Sequence, residues 1–158
     1  MAGKRWRLGD IAVFARSLPG TKVGLKWGHR TWMIGDKGYA WERPLGKADL
    51  KRLGDARPPE GDIVAVRVES LDAKDALLAI APPGFFTIEH FKNYPALLIE
   101  LRLARIADVR AAITDAWRTV APPEMPARPA RKRARPRNSR TPRPVLRRSS
   151  VRSVTPSR

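Results

Sequence analysis

The stretch Phe85-Phe86-Thr87-Ile88-Glu89-His90-Phe91-Lys92-Asn93-Tyr94-Pro95-Ala96-Leu97-Leu98-Ile99-Glu100-Leu101-Arg102-Leu103 decides the fold. Its second half alternates as a strand does. Leu97, Ile99, Leu101 and Leu103 fall on one face, and Leu98, Glu100 and Arg102 on the other. A strand apolar on one side and mixed on the other belongs to a sheet covered by helices on one face. Arg67, Leu98, Glu100 and Arg102 are therefore expected on an exposed sheet face. The first half reads as a short strand, Phe85 to Ile88, and a loop from His90 to Pro95.

Working outward, the segments before this stretch supply the rest of the sheet. Asp10 is placed to cap a helix whose apolar residues Ile11, Phe14, Ala15 and Leu18 recur at one-faced helical spacing. Pro19-Gly20 ends it. Lys22 to Lys26 is a short strand, and Trp27-Gly28-His29 a turn. Thr31 to Ile34 and Tyr39 to Glu42 are strands joined by Gly35-Asp36-Lys37-Gly38, a loop rich in turn formers. A short helical pattern surrounds Leu50 and Leu53. Ile63 to Val68 alternates again, and Ser70 or Asp72 opens a helix over roughly 72–80 that is expected to bury Ala76, Leu77 and Ile80. After the deciding stretch, Asp108 is placed to cap a last helix with Val109, Ala112, Ile113, Ala116 and Val120 on one face. The order is helix, three strands, short helix, strand, helix, two strands, helix. It predicts a two-layer α+β domain, with an antiparallel sheet of about six strands and helices packed on one face.

The charge is unevenly spread. The 158 residues carry a net charge of +17. Residues 1–120 hold 20 Lys and Arg against 14 Asp and Glu, whereas residues 121–158 hold 12 against the single Glu124. From Pro122 the composition turns to Arg, Pro and Ser without periodicity or aromatics. Such a segment cannot bury enough apolar surface to order itself, so 122–158 is predicted to be a disordered basic tail behind a globular domain of residues 1–121. A chain charged this way associates with polyanions, nucleic acid foremost. There is no cysteine, which excludes disulfides, thiolate metal sites and thiol catalysis. No apolar run has the quality of a signal peptide or membrane span, so a cytoplasmic protein without membrane partners is expected.

Several motifs resemble the MmcQ/YjbR family. Leu18-Pro19-Gly20, Trp27-Gly28-His29 and Thr31 to Trp41 are similar to its opening, where a Leu-Pro-Gly helix end leads to a Trp-Gly-His turn and a Gly-Lys hairpin. Phe85-Phe86-Thr87, His90-Phe91, Tyr94 to Leu98 and Ala116-Trp117-Arg118 resemble the second half of one branch. The likeness covers roughly residues 8–121. The chain departs at Trp32 and Tyr39, where many relatives carry Phe, and at Asn93-Tyr94, where others carry His-Trp. The resemblance implies a compact α/β fold with an antiparallel sheet, similar to a double-wing arrangement, and DNA binding. It implies no catalytic residue.

His29 and His90 are the only imidazoles, and Glu89 adds a neighbouring carboxylate. A metal site takes three or four protein ligands, and a catalytic base needs an orienting partner; neither set is recognisable. No catalytic residue, metal ligand or cofactor is assigned. Lys26, His29, Arg30, Lys92 and Tyr94 together describe a basic surface with an aromatic face for stacking on bases; the alternative is that Phe91 and Tyr94 plug the core and the cations are simply solvated. In the tail, Arg131, Lys132, Arg133, Arg135 and Arg137 form a cluster that would release counterions on DNA or RNA. Neutralising about 6–10 phosphates makes affinity fall by ~10³–10⁵ between low and physiological salt. The same residues are those GC-rich codons encode, so an extension without function fits the composition as well. The reading is a non-enzymatic nucleic-acid-binding protein, with a protein-interaction module, similar in fold to secretion chaperones, as the alternative.

Overall fold

A computed structural model describes residues 4–124. The tail cluster Arg131 to Arg137, with the rest of 125–158, lies outside the described residues. The elements run α1 (Leu8–Arg16), β1 (Lys22–Lys26), β2 (His29–Ile34), β3 (Lys37–Glu42), α2 (Lys47–Leu53), β4 (Ile63–Arg67), α3 (Leu71–Ile80), β5 (Phe85–Phe86), β6 (Ala96–Glu100) and α4 (Ile106–Val120), with a single 3-10 turn at Glu89–Phe91. The strands form one six-stranded sheet in the order β1-β2-β3-β4-β6-β5, and every neighbouring pair is antiparallel. This is the α+β architecture read from the sequence, in the same element order.

α1 and α4 cover one face. Their buried residues, Ile11, Ala15, Val109, Ile113 and Trp117, close over Trp32, Val64, Val66, Leu97 and Ile99 from the sheet. Each large side chain buried here contributes roughly 1.5–3 kcal/mol. Trp117 Nε1 donates to Pro19 O at 2.8 Å, which pins the end of α4 to the α1–β1 loop. A register shift between Trp32 and Met33 leaves Tyr39 as an extra residue on β3. The bulge aims Tyr39 into the helix layer, where its hydroxyl lies 2.8 Å from Thr21 Oγ1 and donates to Ala15 O at 3.3 Å. Burial pushes the Tyr39 phenol up to about 12, although the Thr21 hydrogen bond acts to lower it.

The opposite face is where sequence and structure part. β6 is buried at every position, so its alternation does not mark an exposed side. Leu98 is fully buried beneath Trp41, Ile88 and Phe91, with Leu45, Phe86 and Tyr94 packed around them. Glu100 is buried as well, accepting from Glu60 N at 2.9 Å, Arg57 at 3.3 Å and Arg102 at 3.2 Å. Arg67 is half-buried and donates to Gly38 O at 3.1 Å. The carboxylate reads as surface because its three partners come from loops far off in sequence or from beyond the strand end. The strand itself stops at Glu100, and Leu101 to Ala104 form a turn. That turn meets Gly84 closely: at its φ of +85° a Cβ would lie 2.6 Å from Glu100 O.

Smaller corrections have the same origin. Asp10 and Asp108 sit at the third helical position, not at the cap. α1 starts earlier because Asp62, distant in sequence, accepts from Leu8 N at 3.0 Å and from Arg7 Nε at 3.2 Å. α3 is capped by Ser70, whose Oγ accepts from Ala73 N at 3.0 Å. Its inward stripe is Lys74, Leu77 and Leu78, whereas Ala76 and Ile80 are exposed. The β2–β3 loop is two residues, Gly35 and Asp36, not four. Gly38 belongs to β3, where a Cβ would come within 2.7 Å of Thr31 Cγ2.

Candidate functional site

The covered face does not close completely. Between the β1–β2 turn, the segment Arg43 to Gly46 and the loop His90 to Tyr94, it opens into a cleft of about 790 Å³ lined by Trp27, His29, Trp41, Arg43, His90 and Tyr94 among others. Sheet order explains the assembly. Trp27 leaves the end of β1, Trp41 stands on β3, and Tyr94 precedes β6. Trp41 therefore lies between the other two, 6.1 Å from the Trp27 ring and 6.4 Å from Tyr94, both edge-on. Phe91 continues the cluster 5.7 Å from Tyr94. Edge-to-face pairs of this kind add about 0.5–1.5 kcal/mol each beyond their buried area.

Trp27 is the member the fold does least to accommodate. It is 72% exposed and has a φ of 53°. With Gly28 at φ 79°, it makes the two-residue, positive-φ turn that matches the twist of a hairpin. That geometry favours Asn or Gly, and a bulky residue there is an outlier costing on the order of 1 kcal/mol. Lys26 Nζ sits 6.0 Å from the Trp27 ring and donates to Asp36 O.

At the base of the cleft, Arg43 pairs with the buried Asp49 at 3.1 Å, and its guanidinium lies 5.6 Å from the Phe91 ring. Asp49 also accepts from Gly46 N at 3.0 Å. Burial alone would raise the Asp49 carboxyl. The Gly46 N–H, the charge and hydrogen bond of Arg43 and the charge of His90 outweigh it, and the carboxyl is held below the ordinary carboxylate value. The outer wall is tied from behind: Lys74, buried on α3, donates to Phe91 O and, at 3.0 Å, to Tyr94 O. Burial pushes the Lys74 ammonium below lysine's ordinary value, with Asp75 acting to raise it.

Of the residues singled out from sequence, His29, His90 and Tyr94 line this cleft and Lys26 stands at its rim. Arg30 does not join them. It points to the helix-covered face, pairs with Glu42 at 2.5 Å and lies 5.4 Å from the Trp32 ring. Lys92 faces a separate depression between α2 and α3. Sequence reasoning passed over Trp27, Trp41, Arg43 and Asp49. Trp27 carried the one available signal, a large aromatic in a tight turn next to glycine. Among the described residues no three His, Asp or Glu side chains gather as a metal-binding group, and no helix is long and apolar enough to cross a membrane.

No family model matches the chain. The proteins Rv2570 of Mycobacterium tuberculosis and Mb2600 of Mycobacterium bovis, both uncharacterized, are each 41% identical over 113 residues, spanning 70% of this chain and 88% of theirs. A crystal structure of a Pseudomonas syringae protein superposes with a TM-score of 0.57 at 15% identity, covering 73% of this chain and 100% of that one. The latter likeness extends to the fold alone.

Proposed function

This chain belongs to the family of the Mycobacterium tuberculosis protein Rv2570, and we propose that it is a non-enzymatic nucleic-acid-binding protein of the MmcQ/YjbR type. In this reading the aromatic cleft takes an unpaired base of a single strand, and the basic tail adds affinity that does not depend on sequence. The observation that carries it is Trp27: a large aromatic ring left exposed in a conformation that disfavours it, continuing the Trp41–Phe91–Tyr94 cluster outward. Base–aromatic stacking contributes about 1–3 kcal/mol per base and tolerates any sequence. Lys26 and His29 at the margin suit the adjoining phosphates. The motifs that resemble those of the MmcQ/YjbR family support the same reading, as does the excess of Lys and Arg in residues 1–120.

The test is a salt series on the full chain with single-stranded and duplex oligonucleotides. It is run on the parent protein and on a variant with Arg131, Lys132, Arg133, Arg135 and Arg137 changed to Gln. Neutralising these five cations is expected to flatten the salt dependence, while a preference for single strands persists. Loss of all retention at low salt in that variant would leave the protein a polycation with an unrelated domain.

A further inference from the structure

We propose that the free edge of β1 is a strand-addition site for an extended peptide that alternates apolar and acidic residues. β1 is the outermost strand, pairing with β2 on one side; among the described residues nothing pairs along the other. Lys26 and His29 flank the two-residue Trp27-Gly28 turn, so they form a hydrogen-bonded pair. Counting back, Gly24 and Lys22 also bond inward to β2. The main-chain N–H and C=O groups of Val23 and Leu25 point out from the sheet, four groups in register for an incoming strand.

The side chains of this edge are sorted by face. Val23 and Leu25, 43% and 76% exposed, stand on the helix side, opposite Trp32 and Arg30 in register. Lys22, Gly24 and Lys26 stand on the cleft side. An added strand would therefore meet an apolar row on one face and two lysines on the other. A second copy of this chain is a poor occupant: antiparallel pairing of two β1 strands about Gly24 sets Lys22 of each copy against Lys26 of the other, and like charges directly opposite are destabilising. The same lysines attract an acidic strand. This site shares Lys26 with the rim of the cleft but none of its stacking rings, and it places a protein-interaction role at the edge of the sheet.

The experiment uses the full chain and two synthetic octapeptides, one alternating valine with glutamate and one alternating valine with lysine. Amide hydrogen exchange at Val23 and Leu25 is read by NMR. Residues 121–158 carry 12 Lys and Arg against one Glu, a charge excess that attracts acidic peptides non-specifically, so the local amides and not total binding are the readout. The valine–glutamate peptide is expected to slow exchange at Val23 and Leu25 by about tenfold or more, and the valine–lysine peptide to leave it unchanged. Leu25→Pro deletes an outward donor without touching the β1–β2 bonds, which an edge strand tolerates, and is expected to abolish the slowing at Val23, the outward amide that remains. The double variant Lys22→Glu with Lys26→Glu keeps the donors and is expected to reverse the peptide preference. Unchanged exchange at these two amides with the glutamate peptide overturns the proposal. So does equal protection by both peptides, or a parent dimer that Leu25→Pro dissociates. Oligonucleotide binding by Leu25→Pro, which leaves Lys26 and the cleft rings in place, reports separately on the cleft.

Discussion

Lys74 on α3 donates its buried ammonium proton to the main-chain oxygen of Tyr94 at 3.0 Å, and so fastens a helix of the domain to the wall of the aromatic cleft. Phe91 O takes a second bond from the same nitrogen. A segment with only a 3-10 turn of its own is thereby held against the sheet.

Lys74→Met removes two hydrogen bonds from a charged donor, while Phe91 O keeps the Tyr94 N–H and Tyr94 O keeps the Ala96 N–H; it is expected to cost about 1–3 kcal/mol in urea unfolding at neutral pH, with weaker single-strand binding. The pH dependence has a definite sign. The folded-state pKa of Lys74 lies below lysine's ordinary value, through burial only partly countered by Asp75. Between the two values the unfolded chain binds more protons, so stability contributed by this site rises as pH climbs through that window. The methionine variant should lack the rise.

Asp49 behaves oppositely. Burial raises its carboxyl, but Gly46 N–H, Arg43 and His90 prevail and the folded-state value falls below 3.8. Its contribution is complete above that ordinary value and is lost as pH falls through the lowered one. Asp49→Asn should flatten this part of the acid unfolding curve. At neutral pH it should lower stability by about 1.5–3 kcal/mol, the range for hydrogen bonds to charged groups.

Tyr39 governs the alkaline side of the helix-covered core. Its phenol, raised by burial to about 12 despite the Thr21 hydrogen bond, is favoured neutral in the folded chain. That stability is full below the ordinary value of 10.0 and is lost as pH rises towards about 12. Tyr39→Phe should remove this alkaline loss, measured by circular dichroism across pH, at a cost of about 1 kcal/mol near neutrality.

Much of this architecture was legible in the chain because it depends on near neighbours. Periodicity in Ile63 to Val68 and Leu97 to Leu103, and the turn chemistry of Trp27-Gly28-His29 and Gly35 to Gly38, suffice to order the elements, although the structure shortens the strand and the loop. What was not legible depends on partners remote in sequence. Asp62 caps α1 across 54 residues, and Arg57 and the Glu60 N–H bury Glu100 from 43 and 40 residues away. Neither has a local signature. The cleft is half visible: His29, His90 and Tyr94 stand out by type. Trp41 and Asp49 do not, because a strand aromatic and an acid in a short helix look alike whether or not they edge an opening.

Arg30 and Lys26 are separated by the sheet, and their variants should separate too. Arg30 is held by Glu42 on the helix-covered side, so Arg30→Ala should leave oligonucleotide affinity within about twofold and lower stability by about 0.2–1 kcal/mol. Lys26→Ala should weaken binding and reduce the salt slope by about one ion. Fluorescence anisotropy across salt compares the two.

The most direct test of the central claim is single-strand affinity of Trp27→Ala in the full chain, read together with quenching of tryptophan emission. The ring is largely exposed, so unfolding free energy should change by no more than about 1.5 kcal/mol, the upper range for its edge contact with Trp41. Stacking in the cleft predicts that affinity falls by about 1–3 kcal/mol, roughly five- to 150-fold, and that most of the quenching on binding disappears. Unchanged affinity with undiminished quenching would contradict the account.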